Sequence, residues 1–297
     1  MNRLRPLPAR LAILLLLLPS AFNAAASSAG GEMADAANNF LQALSPAQQA
    51  QATYALADEE RFDWHFIPKS RKGISLKEMS PAQQKLAQAL LSSGLSHRGY
   101  AKAVTIMSLE QILADLEQSK GPRRDPDLYF FTVFGKPGPA DAWGWRVEGH
   151  HLSLNFVVRG DRVLSATPTF FGSNPAEIKD GPRRGLRVLG SEEDLGRQFV
   201  KSLTGDQLKL ALIAIKAPND IITGNSRKAQ LLNPPGLPAA QMTAQQKELL
   251  LNLVRDYAVR HRAEVAEEDL HKIQEAGFGK VRKATETPFN MVLEARA

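Results

Sequence analysis

Between residues 127 and 171 the chain sets down four β-rich runs too closely spaced for crossover helices, and this constrains the fold more than any other feature. Leu128 to Phe134 is one such run, and it ends at the turn-forming stretch Gly135-Lys136-Pro137-Gly138-Pro139. Trp143 to Val147, His151 to Val158 and Arg162 to Phe170 follow, each set off by a Gly-containing turn. Parallel strands need a crossover of about a dozen residues or more, so this spacing predicts an antiparallel β-meander over about 128–171. On both sides the apolar period turns helical. Over 35–118 it runs through Phe40, Leu41 and Leu44, then Tyr54 and Leu56, then Leu86, Leu90 and Leu91, then Leu109, Ile112, Leu113 and Leu116. Over 183–276 it runs through Leu186, Leu189, Leu195, Phe199, Val200 and Leu203, continues over Leu208 to Ile215, and ends in helices from Thr243 to about Ala276. A Pro-, Gly- and Asn-rich loop fills about 217–238, and the tail 277–297 reads as irregular after a helix stop at Gly277. Helix, sheet and helix in series predict the α+β class, as one domain over 27–297 or two closely packed lobes.

One local device recurs. Ser45-Pro46-Ala47-Gln48 and Ser80-Pro81-Ala82-Gln83 each place a hydroxyl at an N-cap, proline at the first helical position and glutamine at the third. The hydroxyl accepts from an orphan amide and the glutamine reaches back to the cap. Thr204-Gly205-Asp206-Gln207 and Thr243-Ala244-Gln245-Gln246 repeat the device without proline. All four read as helix punctuation.

The N-terminus predicts export. Arg3, Arg5 and Arg10 precede the apolar run Leu11 to Leu18, a break at Pro19-Ser20, and the small residues Ala24-Ala25-Ala26. This is a signal-peptide pattern over 1–26, with Ser27 as the first mature residue and a periplasmic or secreted destination. The apolar run is far short of the roughly 20 residues that span a bilayer, so no stable membrane anchor is expected after cleavage. Arg3 and Arg5 are not adjacent, against a twin-arginine signal, and the chain has no cysteine to take a lipid. Losing the three arginines lowers the formal charge from +6 to +3, too mild to call for a nucleic-acid partner. About 270 remaining residues can bury a core without disulfides.

Alternation assigns faces to the strands. Trp143, Trp145 and Val147 share one side with Leu152, Leu154, Phe156 and Val158. A tight turn at Gly149-His150 would set Glu148 opposite His151 and Arg146 opposite Ser153, so the other face carries Arg146, Glu148, His151, Ser153 and Asn155. A three-residue turn at Arg159-Gly160-Asp161 would add Ser165, Thr167 and Thr169 to that face, and a two-residue turn would reverse the assignment. The polar face is either a solvated sheet surface or a ligand-facing one. In the second case His151 is the candidate base, Glu148 its orienter and Ser153 the hydroxyl partner. The candidate ligand-binding residues are Arg146, His150, His151, Asn155 and Asn174.

Other chemistry is sparse. His150 and His151 on a regular strand would point to opposite faces and not share a metal. His65 and His97 are further imidazoles that could converge with one of them. Glu268-Asp269-Leu270-His271 has Glu-x-x-His spacing, but di-metal bundles use two copies. Arg183, Arg184, Arg187 and Arg197 either clamp an anion or pair with Glu192, Glu193 and Asp194. No phosphate loop, dinucleotide fingerprint or zinc-protease motif occurs, and no metal or cofactor is assigned.

Three stretches carry a resemblance. Trp143 to Phe156, Thr167 to Ala176 and Gly181 to Leu189 are similar to signatures of the family called domain of unknown function 3500, and Leu95 to Tyr100 and Ile106 to Glu110 fit it as well. The resemblance covers about 35–281 and implies an exported protein of bacterial habit, with no activity attached. Members of that family continue with strands rich in His, Tyr and Trp. Here the chain reads Arg282-Lys283-Ala284-Thr285-Glu286-Thr287-Pro288-Phe289 and departs from that pattern. A shortened variant or a change of reading frame is expected. Two functional expectations stand side by side. One is a binding or scaffold protein that holds a small polar or anionic ligand on the polar face and the Trp pair. The other is a secreted hydrolase or metal-assisted enzyme centred on His151.

Overall fold

The structure is a computed structural model that describes residues 28–118, 120, 124–216, 219–228 and 236–280, with the backbone of 282–285 and 291–294. The expected signal peptide, 1–26, and Ser27 lie outside the described residues. The elements run in the order α1 (Ala29–Ala43), α2 (Pro46–Ala52), β1 (Thr53–Tyr54), β2 (Ile74–Ser75), α3 (Pro81–Gly94), α4 (His97–Glu117), β3 (Phe130–Phe134), β4 (Trp143–Gly149), β5 (Leu152–Arg159), β6 (Arg162–Ser165), β7 (Thr169–Phe171), α5 (Gly190–Lys201), α6 (Gly205–Ala211), β8 (Leu237–Pro238), α7 (Ala244–Ala258), α8 (Ala263–Glu275), β9 (Arg282–Thr285) and β10 (Met291–Glu294). The class is α+β. All four predicted capping boxes form, with the hydroxyl of Ser45, Ser80, Thr204 or Thr243 accepting from the amide of the glutamine three residues on.

The meander β3-β4-β5-β6 is antiparallel and forms the centre of a seven-stranded sheet. β1 lies parallel to β3, β2 antiparallel to it, and β7 antiparallel to β5. Tyr54 and Leu56, expected in a helix, sit instead in β1 and the loop after it. β1 is held because its backbone pairs with β3, which local helical period cannot foresee. The tail expected to be irregular forms β9 and β10, which join β8 in a separate three-stranded sheet.

The predicted faces of β4 and β5 hold except at His151, which lies in the turn, and the β4-β5 register is shifted by two residues. Glu148 lies opposite Ser153 and Arg146 opposite Asn155, because His150 and His151 are the turn and Gly149 pairs with Leu152. His151 adopts the left-handed backbone there, at φ 60°. Gly149 stays in the strand for a different reason: a Cβ on it would lie 2.4 Å from the Tyr129 ring. At the next turn Arg159 pairs with Arg162, a two-residue loop, and an irregularity between Val157 and Val158 then brings Ser165 opposite Val157. Ser165 therefore does reach the polar side, while Thr169 pairs with Leu154 on the apolar side and Phe170 with Ser153 on the polar side. The bulge offsets the short turn, so neither simple turn length predicts all three residues.

Helices α1, α3 and α4 cover the apolar face. Trp145 stacks on Phe156 at 4.3 Å, and Trp143, Val147, Leu152 and Leu154 are fully buried with Phe40, Leu90 and Ile106. Both tryptophans thus belong to the core and not to a ligand surface. A second, smaller core gathers Phe199, Ala211, Leu237, Met242 and Leu250 between α5, α6 and α7. Among the described residues no helix is long and apolar enough to cross a membrane.

Candidate functional site

The polar sheet face is not open. Residues 55–73 cross it as a strap, and its charges are sealed underneath. Arg146, with a side chain 0% exposed, donates to the Glu60 carbonyl at 2.8 Å and to Glu60 Oε1 at 2.5 Å. Its Nη2 lies 3.5 Å from Glu148 Oε1, and Arg71 Nε lies 3.3 Å from the same oxygen. The His65 amide donates to Glu148 Oε2 at 3.0 Å. Burial pushes the Glu148 carboxyl up, against the pull of Arg146 and Arg71. Phe66 of the strap stacks on Phe170 at 4.2 Å. Ser153 is 0% exposed, with its Oγ accepting from Asn155, and Asn155 also donates to the Pro168 carbonyl at 2.8 Å. Arg146 and Glu148 therefore hold the strap to the sheet, whereas Ser153 and Asn155 bond to each other and, through Asn155, to the segment before β7. Neither expected form of the polar face, solvated or ligand-facing, describes it, because alternation assigns a side to a residue but not what covers that side.

A second cluster of titratable side chains lies at the end of the same hairpin. A cleft of about 320 Å³ is lined by Lys69, Ser70, Arg71, Glu110, Asp125 and His150, with Leu128, Tyr129 and Phe130 as its apolar part. Glu110 comes from α4, where it sits in the buried stripe with Ile106, Met107 and Leu113. Its Oε1 is 2.5 Å from His150 Nδ1. Two acceptors cannot stand that close without a shared proton, and with Glu110 as a carboxylate it is Nδ1 that carries the hydrogen and donates. Arg124 is clamped by Glu117 through two bonds of 2.9 and 2.7 Å, and its Nη1 lies 3.2 Å from His150 Nδ1. The Tyr129 hydroxyl fixes the turn from below by donating to the His150 carbonyl at 2.8 Å. Arg71 ties the strap to it from the side, donating to the carbonyls of His65, Ile67 and Gly149. This leaves His150 Nε2 as the ring's unused acceptor, and no described residue hydrogen-bonds it.

His151, the expected base, has another place. Its backbone is pinned by its amide donating to the Phe66 carbonyl and its carbonyl accepting from the Gly172 amide, both at 2.8 Å. Its ring packs 3.9 Å from that of His150, a contact the turn allows and a regular strand would forbid. Burial, and then His150 and Arg124, lower its pKa to about 4, so it stays neutral at ordinary pH. Asn174 is exposed and lines a separate cleft with Pro175, Glu177, Lys179, Arg187 and Glu193. His97 starts α4, about 20 Å along the helix from Glu110 at 1.5 Å per residue. Its ring is not part of the group. His65 Nδ1 accepts from its own strap, from the Phe66 amide at 2.9 Å. Arg187 and Arg197 pair with Glu193, Arg187 also with Asp194, and His271 with Glu275, the plain helix-face outcome. No group of three or more metal-ligating side chains forms among the described residues. Sequence reasoning missed Glu110, Arg71, Arg124 and Tyr129. Only Glu110 gave a sign, as an acid inside an apolar helix stripe.

A second buried histidine has the same acid liability. His261 is 5% exposed, its Nε2 faces Thr169 Oγ1 at 3.2 Å, its Nδ1 has no partner, and burial and Arg260 lower its pKa to about 4. Histidines held neutral in the folded state charge first in the unfolded state, near pH 6.5. Their stabilisation is therefore complete above pH 6.5 and is lost as pH falls from there to about 4. The slope is at most about 1.4 kcal/mol per pH unit for each, and less for the half-buried His151. Urea titrations across that window should show the decline, with His261→Gln making it shallower. An unchanged slope in that variant would contradict the assignment.

The chain matches the model of a family described as "Protein of unknown function (DUF3500)" over residues 26–284. No curated protein and no solved structure matches it.

Proposed function

The chain belongs to the DUF3500 family, a membership that carries no activity with it, and from that premise we propose an exported protein that binds a small neutral hydroxylated ligand, such as a monosaccharide or polyol, in the hairpin-tip cleft. The observation that carries the reading is the Glu110–His150 contact at 2.5 Å inside a cleft of about 320 Å³. The size suits a small molecule. The carboxylate fixes the imidazole so that Nε2 offers a lone pair to an incoming O–H or N–H. The cations around the cleft are matched: Lys69 with Asp63, Arg71 with Glu148, Lys77 with Asp125, Arg124 with Glu117. That balance favours a neutral ligand over an anion, and the half-buried Phe130 supplies apolar ring surface. Calorimetry with neutral monosaccharides and polyols, and with acidic sugars for comparison, is expected to give binding to the neutral set that His150→Ala removes. Binding indifferent to His150, or confined to the acidic set, would sink the proposal.

A hydrolytic reading rests on the same dyad, since an imidazole oriented by a carboxylate is a general base and Ser70 lines the same cleft. Ester or glycoside turnover abolished by Ser70→Ala would favour it; binding without turnover favours the first. Export rests on the basic, apolar and small-residue order of 1–26, with no cysteine in the chain. N-terminal sequencing of exported protein should begin within a few residues of Ser27, and Met1 retained there would contradict it.

A further inference from the structure

The four capping boxes closed by glutamine pair off in two identical ways. Gln83 Nε2 donates to Gln48 Oε1 at 2.9 Å and to the carbonyl two residues before Ser45, that of Ala43; Gln48 Nε2 returns a bond to the carbonyl two residues before Ser80, that of Glu78. Gln246 Nε2 donates to Gln207 Oε1 at 2.8 Å and to the carbonyl two residues before Thr204, that of Ser202; Gln207 Nε2 returns a bond to the carbonyl two residues before Thr243, that of Gln241. Every donor and acceptor corresponds. The correspondence extends outward along the chain. Before the boxes, Phe40 and Phe199 are both 0% exposed five residues ahead of Ser45 and Thr204, and after them Ala52 and Ala211 both end a short helix at 0%. Gly73 and Gly236 both take the left-handed backbone, at φ 89° and 74°, and each opens a two-residue strand and a 3-10 turn that ends at Met79 or Met242. In α3 and α7 the buried positions coincide: Ala87 with Leu250, Leu90 with Leu253, Leu91 with Val254. The antiparallel pairing of β2 on β3 is repeated by β8 on β9, and each of β3 and β9 pairs antiparallel with the next strand.

We infer that the chain is an internal duplication of one unit, seen in residues 29–149 and 190–294, whose two copies meet through a surface built to fit its own counterpart. The meeting point has two-fold form. Leu95 and His261 pair as an antiparallel bridge, the Ser96 amide donates to the Arg260 carbonyl, and the Arg262 amide donates to the Gly94 carbonyl. Exchanging 94, 95 and 96 with 260, 261 and 262 turns one of those bonds into the other, as an isologous contact requires. α4 and α8 each begin two residues past the bridge. The approach is close enough that a Cβ on Gly99 would lie 1.9 Å from the Arg260 carbonyl oxygen. The second unit keeps a core of its own, while the first unit's core also takes in β5 to β7 and Val265 of α8.

Two measurements on the full chain test this. Gln83→Ala is expected to speed native-state hydrogen exchange at the starts of α2 and α3 at least tenfold with α6 and α7 unchanged, and Gln246→Ala to give the same pattern transposed. The cysteine-free chain also permits Leu95→Cys with His261→Cys, which is expected to oxidise to an intramolecular disulfide on the axis, read by mass spectrometry. Exchange quickening in both units from either glutamine, or a cysteine pair that stays reduced, would overturn the inference.

Discussion

Arg146→Ala is expected to lower the stability of the protein by about 3–5 kcal/mol, measured as a shift of the denaturant midpoint at constant slope. The guanidinium has no solvent contact and bridges two carboxylates, Glu60 and Glu148, that are themselves 7% and 1% exposed. Removing it leaves both acids under the strap, with Arg71 beside Glu148 and the exposed Lys72 Nζ 3.6 Å from Glu60. Burial already pushes the Glu148 carboxyl up, and without Arg146 it rises further. A carboxyl with a raised folded pKa favours the folded state below its unfolded pKa and loses that contribution as pH rises. The cost should accordingly be smallest near pH 4 and largest at neutral pH, and Glu148→Gln should recover part of it. A loss below about 1 kcal/mol at pH 7 would mean the network behaves as a solvated surface pair.

Glu110→Gln is expected to weaken ligand binding about 100-fold while leaving the fold intact, because it acts on the proton position in His150 and not on packing. The carboxylate only accepts, so Nδ1 must donate and Nε2 is free to accept from the ligand. An amide can donate to Nδ1 instead, which moves the ring proton to Nε2 and sets two donors face to face in the cleft. A buried contact of that kind costs about 1–3 kcal/mol, the basis of the 100-fold figure. Calorimetry of the variant beside His150→Ala checks it: similar losses in both place Glu110 behind His150, whereas full affinity in Glu110→Gln with loss in His150→Ala would detach the carboxylate from the site.

Much of this architecture is legible in the residues, and the gaps have physical causes. The close spacing of strands from Leu128 to Phe171 implies antiparallel pairing, and Ser or Thr three residues before Gln marks four helix starts. Alternation places Trp145 and Leu154 on one side and Arg146 and Ser153 on the other, because that relation depends only on period. It cannot tell that residues 55–73 lie over the polar side, since the strap is held by long-range bonds such as His65 to Glu148. The turn shows the same limit. The Gly at 149 suggests a turn position, but it is spent on the Tyr129 ring, and His151 takes the left-handed backbone in its place. That two-residue shift puts His150, and not His151, beside Glu110 in the cleft. The pairing of capping glutamines across 35 and 39 residues is invisible to local pattern for the same reason.

The site stands or falls on which nitrogen of His150 carries the proton. Nitrogen-15 chemical shifts of the His150 ring, in protein labelled at histidine and assigned against His150→Ala, report it directly at neutral pH. The account predicts a protonated Nδ1 with a downfield hydrogen shared with Glu110, a bare Nε2, and the reverse tautomer in Glu110→Gln. A wild-type ring protonated at Nε2, with no coupling to Glu110, would contradict it.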